Sequence, residues 1–162
     1  MKDIKNLELV RINWGNHNEH TEGIQSVFEC PYIRNWFPSS GDPEKVWKLW
    51  LSRSCDATTN QKAHSYLGYV GNELIGVSGI RSEIIGTVLN LEIDWHVKQA
   101  YQGLGFGYQL AKNALQGTLE DSIFRVVARI KPDNLPSNRL AQKLEMIKSQ
   151  TNEGQFNLWF TI

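Results

Sequence analysis

Residues 97–107 read Val-Lys-Gln-Ala-Tyr-Gln-Gly-Leu-Gly-Phe-Gly, and this run restricts the fold more than any other part of the chain. A β-rich stretch ends at Val97, glycines follow at 103, 105 and 107, and helical spacing begins at once. The first N–H groups of a helix lack intrahelical partners, and the aligned peptide dipoles put positive potential behind them. Glycines in front of such an end let a ligand's oxygens reach the amides, because no side chain stands in the way. The run therefore predicts an anion site suited to phosphate oxygens. A P-loop does not fit, since it closes on Gly-Lys-Ser/Thr and Gly107 is followed by Tyr108-Gln109. A dinucleotide fingerprint does not fit either. It needs G-x-G-x-x-G opening a parallel βαβ unit, whereas the spacing here is G-x-G-x-G after an antiparallel meander. A glycine-rich turn without a ligand is the remaining alternative.

Hydrophobic periodicity orders the other elements around this loop. Residues 7–12 read as a first strand, and 16–28 as a helix capped by Asn16 or Asn18. Ser39-Ser40-Gly41-Asp42-Pro43 is a turn opening a helix, with Asp42 at the N-cap and Pro43 at N1. Val46, Trp47, Leu49, Trp50 and Leu51 form its apolar stripe, and 58–62 is a polar connection. Residues 65–70, 73–81 and 87–97 are β-rich, with reversals at Gly71-Asn72 and Ile85-Gly86-Thr87. After the glycine loop, 108–119 is helical and 123–130 is a strand. Pro132-Asp133-Asn134 then caps a helix over 135–144, and 147–150 and 156–162 are terminal strands. This order predicts an α/β chain with a mixed, mostly antiparallel central sheet flanked by helices. Its 162 residues fit one domain, 1–162.

The run from Val97 to Gly107 resembles the acetyl-coenzyme-A signature of the GNAT N-acetyltransferases, V-x-x-x-x-(R/Q)-G-x-G-x-(G/A). Val97, Gln102, Gly103, Gly105 and Gly107 stand in register with it. A second block, from Asn134-Leu135-Pro136-Ser137 through Lys143-Leu144-Glu145-Met146, resembles that superfamily's closing helix, N-x-x-S-x-x-x-x-x-K-L-G-(F/M). Leu91-Glu92-Ile93-Asp94-Trp95-His96-Val97 resembles the A-E-I-G-Y-W-V strand of the ribosomal-protein-alanine acetyltransferase branch. Two positions depart from the pattern. Glu145 replaces a glycine, so the turn after the closing helix is expected to be built differently, and Ala141 replaces the tyrosine that protonates the departing thiolate in many members.

The resemblance implies direct transfer of an acetyl group from acetyl-coenzyme A (acetyl-CoA) to a primary amine, a protein N-terminus or a small molecule. The alternative is a GNAT-like domain that binds acyl-coenzyme A without catalysis. Gln102, Gly103, Gly105, Phe106 and Gly107 would hold the pyrophosphate and Asn134 the pantetheine arm; Val97 and Ser137 would also bind the cofactor, and Ser137 or a water would supply the proton for the thiolate. An amine attacks a thioester only when unprotonated, so a general base is needed. Period-two alternation puts Asn90, Glu92, Asp94 and His96 on one strand face. Glu92 is the expected base, with Asp94 next and His96 as a structural histidine. Backbone amides at the end of that strand, Val97 first, are expected to stabilise the oxyanion. Trp36 and Phe37, beside Pro38, are expected to line the acceptor pocket.

The chain carries seventeen Lys+Arg and seventeen Asp+Glu, a balance that argues against nucleic acid or an acidic membrane as partner. Cys30 and Cys55 form no metal motif; they are expected as reduced thiols, with one disulfide as the alternative. The first residues show no apolar signal segment, and no run approaches eighteen apolar residues. A cytoplasmic, metal-free enzyme is the expectation, and no residue pattern sets an oligomeric state.

Overall fold

Tight turns and strand alternation build the central ribbon of this computed structural model, which describes residues 6–34, 42–150 and 154–161. Strand β1 (Glu8–Arg11) leads through a 3-10 turn (His17–His20) into α1 (Thr21–Phe28), α2 (Pro31–Arg34) and α3 (Pro43–Gln61). The meander follows as β2 (Tyr66–Val70), β3 (Glu73–Ser78), β4 (Ile80–Ile85), β5 (Val88–Ile93) and β6 (His96–Val97). A 3-10 turn (Gln99–Tyr101) and the glycine loop lead to α4 (Phe106–Asp121), then β7 (Val126–Ile130), α5 (Leu135–Lys143), β8 (Ile147–Lys148) and β9 (Asn157–Phe160). The fold is a mixed α/β arrangement of antiparallel and mixed sheets flanked by helices, as the sequence predicts. Among the described residues no helix is long and apolar enough to cross a membrane.

Two local expectations change, the first being that 16–28 divides into the 3-10 turn and α1, neither with a side-chain cap bond. Residues 58–61 are not a polar connection but the last turn of α3, because polarity there does not end the helix. Thr58 and Thr59 donate their hydroxyls to the carbonyls of Ser54 and Cys55 one turn back (3.0 and 3.1 Å). The helix ends only at Lys62, which takes φ 55°. At the other end, the Asp42 carboxylate accepts the Glu44 N–H at 3.0 Å, the cap read from the sequence.

The expected single sheet divides into two by pairing, in the orders β1-β2-β3-β6 and β4-β5-β7-β9-β8. The division has a local cause. Register is unbroken from Ile80↔Ile93 to Val77↔His96, so β3–β4 and β5–β6 form one long hairpin. At its middle the Gly79 N–H donates to Asp94 Oδ1 (3.0 Å), while the Asp94 carbonyl accepts the Ser78 hydroxyl (2.8 Å). The side chain of Asp94 thus takes a ladder bond that a backbone carbonyl would normally hold. Gly79 is needed there, because a Cβ would collide with the Trp50 indole.

Helices cover both faces. Leu91, Ile93, Val126, Ala128 and Ile130 pack with Ala111, Ala114 and Leu115 of α4 and Ala141 of α5. Ile24, Val27 and Phe28 of α1 and Trp47, Trp50 and Leu51 of α3 pack with Leu67, Leu74 and Val77 on the other side. Each fully buried side chain of this size contributes about 1.5–3 kcal/mol. Cys55 is buried within that second core, and both cysteines are free thiols.

The turn after α5 also corrects the expectation. Glu145 is not avoided by a different turn; it adopts the left-handed conformation itself, at φ 61°. Its N–H donates to Gln142 O (3.0 Å), and the Met146 N–H donates to Ala141 O (3.1 Å), the two bonds of a Schellman motif. The left-handed region costs an L-residue roughly 1–2 kcal/mol, and glycine gives back about 0.5–1 kcal/mol of that in unfolded-state entropy. Glu145→Gly should therefore stabilise the fold by about 0.5–1 kcal/mol and raise Tm by roughly 2–3 °C. Calorimetric melting tests this, and an unchanged or lower Tm would show that the carboxylate makes a compensating contact.

Candidate active site

β5 and β7 run parallel but pair only at Leu91↔Val126 and Glu92↔Val127. Beyond that point β6 stays with β3 while β7 stays with β9, and the strands part. The gap opens into a cavity of about 800 Å³. Its wall includes Glu92, Asp94, Val97, Gln102, Gly103, Gly105, Phe106, Gly107, Asn134 and Ser137, so every described residue expected at the site borders one space. Trp36 and Phe37 lie outside the described residues; among the described ones, Tyr32 of α2 borders the cavity.

The glycine loop forms one end. Gly103 and Gly105 take φ 77° and 82°, and a Cβ on either would meet nothing within 4 Å, so their outer faces are open. Among the described residues, the N–H groups from Gly103 to Tyr108 donate to no protein acceptor, and the first helical bond is Gln109 N–H to Gly105 O at 3.1 Å. The loop is braced from behind. Gln102 Nε2 donates to Val97 O (3.0 Å), and the Tyr101 hydroxyl donates to Glu73 Oε2 (2.6 Å). That hydrogen bond, with Lys98 beside it, holds the Glu73 carboxyl below its usual range. Gly107 lets β6, α4 and α5 meet, since a Cβ there would lie 3.3 Å from Leu140 Cδ1.

The strand 92–97 separates two kinds of chemistry. The odd-numbered side chains face α4 and α5, and the Trp95 indole N–H donates to Ser137 Oγ at 3.2 Å. Backbone N–H directions alternate in the same way. Asp94 and Lys98 donate to Gly79 and Ile75, whereas Leu91 donates to Arg125 on the β7 side. The amides of Trp95 and Val97 therefore point into the gap that β7 has left. Asn134 Oδ1 accepts the Ser137 N–H (3.3 Å), which makes it the N-cap of α5 as well as part of the cavity wall. Ala141 is fully buried in the core, away from the cavity.

The even-numbered side chains enter a ladder of alternating charge. Glu92, 4% exposed, takes Arg81 Nη2 at 3.0 Å and Arg129 Nη2 at 2.7 Å. Arg129 also reaches Glu83 at 3.1 Å, and Glu83 takes Arg53 of α3 at 3.3 Å. Asp94 accepts from Trp50 Nε1 (3.0 Å), Gly79 N–H (3.0 Å) and Arg81 Nη1 (2.8 Å), and His96 Nε2 stands 3.7 Å from its Oδ2. Each hydrogen bond to a charged group is worth about 1.5–3 kcal/mol, so this ladder ties the strand face firmly to its neighbours. Burial opposes the charge on Asp94, but His96, Arg81 and the Trp50 indole outweigh it and hold the carboxyl well below its usual range. Burial likewise opposes the charge on Arg81, and Glu92 and Asp94 reverse that effect. The sequence reading missed Arg81 and Arg129. Arg129 alone gave a signal, as the one charge in the apolar strand 126–130, which asks for a partner of opposite sign; Arg81 stands beside Ser82 and Glu83 and gave none.

The comparisons with known proteins agree with this geometry. The model of the acetyltransferase (GNAT) domain matches residues 15–147. No curated protein sequence matches the chain. Among solved structures, a protein of Pyrococcus horikoshii OT3 superposes with TM-score 0.74 at 12% identity, over 96% of this chain and 98% of that one. The GNAT domain of S. lividans PAT gives 0.73 at 14% identity, over 96% and 89%. The protein yncA of Salmonella typhimurium, assigned as an acetyltransferase and solved with its cofactor acetyl-CoA, gives 0.62 at 15%, over 95% and 91%.

The charge ladder yields a stability test. Asp94 has a lower pKa folded than the roughly 3.9 of an unfolded aspartate, so its contribution is complete above about pH 4 and is lost as pH falls further. Asp94→Asn should cost about 3 kcal/mol at pH 7 by urea unfolding. The penalty should shrink below about pH 4; an equal penalty at pH 3 and pH 7 would mean the loss is packing rather than charge.

Proposed function

The chain belongs to the GNAT acetyltransferase family, and from that premise we propose that it transfers an acetyl group from acetyl-CoA directly to a primary amine. The observation that carries this reading is the convergence on one cavity of two sets of unspent amides, those of 103–108 and those of Trp95 and Val97. A cluster of N–H groups at a helix start fits a pyrophosphate. Amides along a bare strand edge fit the pantetheine amide groups and, at the reacting end, a developing oxyanion. Lys131, Arg139 and Lys143 on the cavity wall add positive charge suited to the remaining phosphate.

When bound, acetyl-CoA supplies the thioester carbonyl and a thiolate leaving group. The chain's residues do the rest. The loop amides hold the phosphates, the Trp95 and Val97 amides orient the carbonyl, and a base in the wall takes a proton from the amine. The new C–N bond forms as the C–S bond breaks. Ser137, which accepts the Trp95 N–H and retains its own proton for donation, is positioned to return a proton to sulfur. Glu92 and Asp94 shape the field at the reacting centre through their arginine partners. A protein N-terminus is the acceptor suggested by the likeness of 91–97 and 134–146 to the ribosomal-protein-alanine branch. The cytoplasm, where acetyl-CoA and reduced thiols coexist, is the compartment that suits the reaction.

The arginine-locked carboxylates favour one rival, a domain that binds acyl-CoA without turnover. Release of free thiol from acetyl-CoA over a panel of N-terminal peptides, amino acids and small amines separates the two. Turnover with at least one amine is expected, and tight binding without thiol release would leave the rival standing. For the binding half, Gly105→Glu should abolish acetyl-CoA affinity in a folded protein, because a left-handed backbone carrying an anion would stand in the phosphate cradle. Unchanged affinity by titration calorimetry would remove the loop from the site.

A further inference from the structure

An acceptor amine is protonated in water, so some group in the cavity must take its proton before attack. Three titratable side chains share one strand face there: Glu92, Asp94 and His96. The inference below rests on the acetyl-transfer reading of the preceding section. The three differ in what a proton would do to their surroundings. On Glu92 it would cancel the charge that Arg81 and Arg129 share, in a nearly solvent-free position. On Asp94 it would disturb three donors, the Trp50 indole, the Gly79 N–H and the Arg81 guanidinium, together with the interrupted ladder they hold.

On His96 the sign reverses. The ring stands 3.7 Å from Asp94 Oδ2, so a proton gained there creates an ion pair where the others would lose one. Among the described residues the helices packed near it present rings without charge, Phe28 of α1 with centroids 5.3 Å apart and Trp50 of α3 on Asp94. Arg81 shares Asp94 Oδ2 with the ring and is already paired with two acids. Imidazole is also the side chain whose ordinary titration lies closest to neutral pH.

We propose that His96 is the general base for the acceptor amine, that Asp94 positions it and stabilises the imidazolium, and that Glu92 holds the two arginines without exchanging protons. The proton passes from the ammonium to the imidazole, directly or through one water. The freed nitrogen lone pair forms the C–N bond, the C–S electron pair leaves with the thiolate, and the still cationic nitrogen gives up its second proton to sulfur, through Ser137 or water. The imidazolium then releases its proton to solvent.

The test compares two nucleophiles under saturating acetyl-CoA: the best basic amine of the panel, and hydroxylamine, whose nitrogen is already unprotonated at neutral pH. Melting of each variant is measured first, with His96→Asn as a second substitution should His96→Gln not fold. His96→Gln should lower kcat with the basic amine by about 10²–10³-fold and with hydroxylamine by no more than about threefold, with acetyl-CoA affinity kept. A merely structural histidine would lower both rates together, and that result overturns the proposal. So does retention of about a third or more of the basic-amine rate, or the selective loss appearing in Glu92→Gln instead. A wild-type chain that releases no thiol with either nucleophile overturns the underlying acetyl-transfer reading rather than this assignment.

Discussion

Parallel strands that pair over two residues and then separate leave backbone N–H groups facing a gap, and buried polar groups without partners are costly. In this chain the problem is concentrated rather than avoided. β5 and β7 part after Glu92↔Val127, so the amides of Trp95 and Val97 face open space. The same gap receives the first turn of α4, with its own amides from Gly103 to Tyr108. A ligand rich in acceptors satisfies both sets at once. The divergence of two strands therefore defines the site, the side of the fold on which α4 must start, and the kind of molecule that fits.

The other constraint is charge. Glu92 and Asp94 sit where water is scarce, and such groups persist only when paired. The pairing draws in β4, β7 and α3 through Arg81, Arg129, Glu83 and Arg53, so the acceptor side is braced by residues far apart in sequence. The same pairing occupies both carboxylates with cationic donors. One ladder thus explains why the strand pairing is interrupted at Asp94, why the face is stable, and why His96 differs from its two acidic neighbours.

Much of this was legible from residue order. The glycine loop, the cap at Asp42, both hairpin turns and the odd-even division of 92–97 follow from local rules, and the structure has them where the rules put them. What was not legible depended on partners distant in sequence or on small energy differences. The extension of α3 to Gln61 rests on threonine hydroxyls turning back to their own helix. The division of the sheet rests on one carboxylate replacing one carbonyl. Glu145 accepts a left-handed backbone that the sequence rule assigns to glycine, because two Schellman bonds and the burial of Met146 offset the strain. The roles of Glu92 and Asp94 were ranked without Arg81 and Arg129, since nothing local tells which strand a charge will meet.

The central claim is that the gap between β6 and β7 is the acetyl-CoA site. A crystal structure of the complex with acetyl-CoA tests it most directly. The account predicts pyrophosphate oxygens within hydrogen-bond distance of the amides between Gly103 and Tyr108, and the pantetheine arm lying along the amides of Trp95 and Val97. Acetyl-CoA bound elsewhere, or seated in the cavity with those amides untouched, would contradict it.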